Sequence, residues 1–87
     1  STRKRKYMVK VVGIKFKNGG KLYYFSPKAG DKYERNMPVV VETSRGLEYA
    51  WVAYPERHVP DDEIVPPLKP IVRIATQRDS TYQAFRE

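Results

Sequence analysis

The sequence predicts a mainly β fold: a small, strongly curved antiparallel sheet or barrel of about five strands, with a proline-rich wrap and a C-terminal helix. Three observations predict it. Runs of β-branched and aromatic residues of strand length recur along the chain. Asn- and Gly-containing turns separate them. Five of the seven prolines crowd into residues 55–70, which excludes a helix or a central strand there. An open four-stranded sheet is the alternative. The 87 residues suit one domain, and a chain this short buries only about 60% of its unfolded surface.

Residues 7–17 read as the first strand. Val9 and Val11 share one parity and Val12, Ile14 and Phe16 the other, so the strand carries a bulge or is buried on both faces. Asn18-Gly19-Gly20 is a hairpin turn, because Asn and Gly accept positive φ at low cost. Residues 21–25 return as a strand that Ser26-Pro27 ends. A polar loop covers 28–37. Residues 38–43 form a β-branched strand, Ser44-Arg45-Gly46 turns, and 47–54 pair back until Pro55. On that strand Leu47, Tyr49, Trp51 and Ala53 share a parity, which predicts Trp51 in the core. Gly13, Gly20 and Gly46 are expected at turns or bulges. The wrap lays Val59, Ile64, Val65 and Leu68 on the core, and 70–74 add a last short strand. Thr76 resembles a helix N-cap, with Asp79 completing an approximate capping box. Residues 77–86 are then helical, with Tyr82 and Phe85 facing one way. The expected organisation is a basic arm (1–6), a β-rich domain (7–75) and a C-terminal helix (76–87) leading into sequence beyond this chain.

Charge is unevenly placed. Residues 1–32 hold ten Lys or Arg and one acid, +9, whereas residues 33–87 sum to −2, for a total of +7. Such a concentration favours RNA, DNA or an acidic protein face. It also suits a solubilising arm and a solvated strand face. Tyr23, Tyr24 and Phe25 are consecutive, so their rings project to both faces and at least one lies outside the core. Exposed rings beside lysines are what single-stranded nucleic acid stacks upon; half-buried wall tyrosines are the alternative.

Catalytic chemistry finds little support. There is no cysteine, hence no disulfide, thiolate metal site or cysteine nucleophile, and there is one histidine, His58. Gly19-Gly20-Lys21 lacks the Ser/Thr and earlier glycine of a phosphate loop. Asp61, Asp62 and Glu63 are adjacent and cannot all converge on one cation. Glu42 and Glu48 flank a turn, with no cleft implied for a carboxylate pair. No apolar run approaches the roughly 20 residues that span a bilayer. No enzyme, metal site or cofactor is expected in this chain.

Several segments together resemble the YaaT/RicT family of bacterial regulators. They are Lys10-Val11-Val12-Gly13-Ile14-Lys15-Phe16, then Gly20-Lys21-Leu22-Tyr23-Tyr24-Phe25. Val40-Val41-Glu42-Thr43-Ser44-Arg45-Gly46-Leu47-Glu48-Tyr49 and the stretch 63–76 follow in order. The resemblance is to the amino-terminal, β-rich half of proteins that carry a polymerase-suppressor (PSP) type C-terminal domain. It implies a cytoplasmic, non-enzymatic regulatory or adaptor domain. Its implied partners are protein subunits of a complex that supports RNA processing with ribonuclease Y, in the setting of sporulation. The family's cysteines have no counterpart here, and Ala50-Trp51-Val52 stands where a glycine before valine is usual.

The alternative is a direct RNA- or DNA-binding β-barrel. Its candidate residues are Arg3, Lys4, Arg5, Lys6, Lys10, Lys15, Lys17 and Lys21, with Tyr23, Tyr24 and Arg45 able to touch bases. It predicts weak, salt-sensitive binding of single-stranded RNA centred on the basic first third.

Overall fold

The computed structural model describes residues 7–17 and 19–76. They form strands β1 (Met8–Lys15), β2 (Tyr23–Phe25), β3 (Pro38–Thr43), β4 (Gly46–Pro60) and β5 (Arg73–Ile74), with a single 3-10 turn at Asp61–Glu63. All belong to one sheet in the order β2-β1-β4-β3-β5, and every neighbouring pair is antiparallel. The mainly β expectation holds. The sheet does not close into a barrel, but its edges are tied. Ser26, just after β2, forms a bridge with Pro70, just before β5. The Ser26 amide donates to the Lys69 carbonyl and the Ile71 amide to the Ser26 carbonyl, both at 2.9 Å. The predicted arm at 1–6 and the helix at 77–86 lie outside the described residues.

The β3–β4 hairpin forms where its sequence pattern places it. Thr43 pairs with Gly46, whose φ of +109° supplies the left-handed residue that closes the turn. Thr43 Oγ1 accepts from the Arg45 amide at 3.1 Å and donates to the Glu48 carboxylate. The β1–β2 hairpin also forms, with Val12 opposite Phe25 and Ile14 opposite Tyr23. Its return strand starts at Tyr23 rather than Lys21, so the connection is longer than a tight turn.

Two sequence expectations for β4 are corrected. Pro55 does not end the strand, which runs 15 residues to Pro60. Its first half pairs with β3, while β1 pairs with 51–60. The register slips between Val11 and Gly13, and again between Gly13 and Ile14, so β4 bulges opposite the middle of β1. Pro55 falls in that bulge, where no ladder donor is needed. The parity shift seen in β1 thus marks a bulge in its partner, and Val11, Val12, Gly13 and Ile14 are all buried. The inward parity of β4 is also the reverse of the expected one. Val39 and Val41 face the core opposite Ala50 and Glu48, which turns Ala50 and Val52 inward. Trp51 is half-buried on the other face, edge-on to Tyr49 at 5.1 Å. Trp51→Ala should therefore cost less than the roughly 3–5 kcal/mol typical of a buried aromatic.

The core gathers Val12, Ile14, Phe25, Tyr33, Val39, Val41, Ala50, Val52 and Ile71. Val59 is buried as the wrap predicts, but Val65 is 88% exposed, because residues 55–60 are strand and only the later part of the segment returns to the core.

Tyr33 is the loop's contribution to the core. Its hydroxyl accepts from the Lys28 amide at 3.0 Å and donates to Asp31 at 3.4 Å. Burial pushes the phenol above the ordinary 10.0, the Asp31 carboxylate adds to the rise, and the Lys28 N–H opposes it. The folded state thus favours the neutral phenol. That contribution is fully present below the unfolded tyrosine value of about 10 and is lost as pH rises through the raised folded value. Melting temperatures followed upward from about pH 9 should fall more steeply for the parent than for Tyr33→Phe. Parallel curves would remove Tyr33 from the account of alkaline stability.

Candidate nucleic-acid interface

Strand alternation and the two hairpins decide where the candidate residues go. Arg3, Lys4, Arg5 and Lys6 lie outside the described residues. The other seven do not share one surface. Lys10 stands beside the loop at Lys28–Tyr33 and pairs with Glu56 at 3.6 Å. Tyr23 faces with Ile14 and Tyr24 with Gly13, so the two rings lie on opposite faces of β2. Tyr23 is 42% exposed and Phe25 joins the core, in line with the expectation that the three rings divide between faces.

One open groove of about 680 Å³ brings together Lys17, Tyr23 and Arg45 with Phe16, Tyr49 and Lys69. Phe16 meets Tyr23 edge-on at 5.4 Å. Glu42 and Glu48 also border it, so its charge is mixed. The register puts Glu48 on the face of Val41 and Glu42 on the face of Leu47, and Glu48 is engaged by the Thr43 hydroxyl. They are not a facing acid–base pair.

A second groove, of about 360 Å³, lies on the outer face of β1 and β4. Lys15, Lys21 and Arg35 line it with Leu22, Ala53 and Tyr54, and among its described lining residues none is acidic. Lys15 Nζ donates to Asn36 Oδ1 at 3.3 Å, while Asn36 holds φ at 71° in the loop before β3. The Tyr54 ring has the Arg57 guanidinium 5.0 Å and the Arg35 guanidinium 5.5 Å from its centre. The floor is Gly13. A Cβ there would stand 3.1 Å from Tyr54 Cδ2 and 3.2 Å from Leu22 Cδ1, so only glycine lets the ring lie this close. Arg35, Tyr54 and Arg57 were not among the sequence candidates. Tyr54 and Arg57 meet because the β4 bulge falls between them, and no local pattern reports that.

Compared with known proteins, the chain is 42% identical over 72 residues to the Stage 0 sporulation protein YaaT of Bacillus subtilis, covering 83% of this chain. The chain belongs to the YaaT family. It spans about a quarter (26%) of the length of that YaaT protein. No family model matches the chain, and no solved structure does. The segments that carry the YaaT resemblance fall on β1, β2, the β3–β4 hairpin and the return segment through β5. They cover most of β1, all of β2, the β3–β4 turn and the Pro70 side of the edge tie, but not residues 51–60 of β4, with which β1 pairs. Lys15, Lys21 and Leu22 lie within them, whereas Arg35, Tyr54 and Arg57 do not.

Among the described residues, no group of three or more His, Asp or Glu side chains could hold a metal ion. No helix among them is long and apolar enough to cross a membrane.

Proposed function

We propose that this chain is a non-catalytic regulatory or adaptor domain that acts by binding within a cytoplasmic multiprotein complex. The identity to a protein named for stage 0 of sporulation carries the reading. The geometry is in keeping with it. The two grooves described above are open to solvent. Large apolar side chains stand on the surface at both ends of β4, Tyr7 (67% exposed) and Met8 (57%) beside Pro60 and Leu47 (64%) at the hairpin, open to a partner. The YaaT/RicT resemblance extends the proposal to a complex that supports RNA processing with ribonuclease Y.

The test is purification of the full-length protein from its own cells after mild crosslinking. Ribonuclease Y and a small, constant set of subunits should accompany it, and Met8→Asp with Leu47→Asp should reduce their recovery. A protein that purifies alone, with messenger RNA processing unchanged when its gene is deleted, would end the reading.

A further inference from the structure

The groove beside Tyr54 carries cations and flat groups with no acid among its described lining residues, whereas Glu42 and Glu48 border the other groove described above. Among the described residues no carboxylate pairs with Lys15, Lys21, Arg35 or Arg57, although Glu56 pairs with Lys10 nearby. Both guanidiniums rest against the Tyr54 ring, a weak contact at an exposed site, which biases them toward the groove. A guanidinium so placed presents its planar fork to a phosphate at a lower entropy cost than a mobile lysine. Tyr54 is itself 39% exposed, and Leu22 beside it is also 39% exposed. The surface therefore offers anion-binding forks, an aromatic plane and an apolar edge within one open channel.

We propose that this groove binds a single-stranded polynucleotide, with Lys15, Lys21, Arg35 and Arg57 on its phosphates and a base stacked against the Tyr54–arginine planes. An acidic peptide would satisfy the charges but has no use for the planes. A duplex would offer phosphates to the cations but keeps its bases paired and stacked inside, so it has no free base for the planes. The site differs from the surface suggested by charge along the chain. Tyr23, Lys17 and Arg45 belong to the mixed groove and Lys10 is already paired. This inference does not rest on the regulatory reading: a domain that docks no protein could still bind a strand here.

The experiment is a fluorescence-anisotropy titration of the full-length protein with labelled oligouridine and oligothymidine over a range of salt. Four phosphate contacts on a single strand give a slope of log affinity against log salt of roughly −3. The combined variant Lys15→Gln, Lys21→Gln, Arg35→Gln should flatten that slope by about 2. Tyr54→Leu removes a plane but no charge. It should weaken binding about 5- to 150-fold at every salt with the slope kept, while Tyr54→Phe should bind like the parent. Lys10→Gln should change little. The charge variants alter exposed side chains, so they remain informative should Tyr54→Leu fail to fold. No binding at low salt would overturn the proposal. So would a slope unchanged in the combined variant, which would place the contacts elsewhere, including residues 3–6. Competition by polyglutamate as strong as by oligouridine, with Tyr54→Leu silent, would instead assign the groove to an acidic protein.

Discussion

An Ile71→Ala protein should lose about 2–5 kcal/mol of stability, the range for emptying a fully buried isoleucine site. Ile71 is 1% exposed and shares the core cluster with Phe25, Val39 and Val41. It is also fixed by its backbone, whose amide donates to the Ser26 carbonyl at 2.9 Å, so it cannot move to fill the space. A domain of this size holds about 5–15 kcal/mol in all, so the loss is a large fraction. In urea the midpoint should fall while the slope is retained, because the surface exposed on unfolding hardly changes. Val65 lies in the same proline-rich segment but is 88% exposed, and Val65→Ala should stay within about 0.5 kcal/mol of the parent. Equal midpoints for the two variants would mean that the return segment is not part of the cooperative fold.

Gly46→Val should cost about 1–3 kcal/mol, the usual magnitude for forcing a side chain into a disfavoured backbone region. A Cβ at Gly46 would meet nothing within 4 Å, so crowding plays no part. The cost comes from φ of +109°, which a β-branched residue hardly tolerates. Gly20 separates the two effects. It too has open space around it, but its φ is not in the positive range. Gly20→Ala should therefore be neutral or stabilising by up to about 1 kcal/mol through the unfolded chain. Thermal melts of the pair settle the matter. If Gly46→Val melts with the parent, the turn geometry is wrong.

The readable parts of the fold were those with a local cause. The run Val39-Val40-Val41 and the Thr43–Gly46 turn form a hairpin from neighbouring residues, and β3 spans the expected 38–43. The bulge in β4 has no such cause. Pro55 looks like a terminator because a proline cannot donate, yet it is tolerated where the partner strand skips a position. The inward parity of β4 was misleading because Tyr49 and Trp51 are bulkier than Ala50 and Val52, though the register opposite Val39 turns the small residues inward. Tyr33 lies in a polar stretch, and its place in the core depends on the fold of the whole loop. For the candidate interface, counting charge along the chain found the excess of cations but not their faces. Strand pairing sends Lys10, Lys15 and Lys17 to three different settings. From the acid-rich remainder of the chain, Arg35 lines the groove beside Lys15 and Lys21, and Arg57 joins them through Tyr54.

The double use of β4 has a consequence for biosynthesis. β1 is translated early, but its partners lie far downstream: Val11 pairs with Arg57 and Met8 with Pro60. At about 5–20 residues per second, some 2–10 s separate the two on the ribosome. During that interval β1 has only β2 to pair with, and a two-stranded hairpin is marginal in water. The apolar side chains of Val11, Val12 and Ile14 are then uncovered beside an unpaired strand edge, a template for pairing with another nascent chain. By contrast, β3 and the first half of β4 emerge together and can pair at once. Each hairpin can form as it is made, but the pairing of β1 with residues 51–60 of β4, which joins them, comes last.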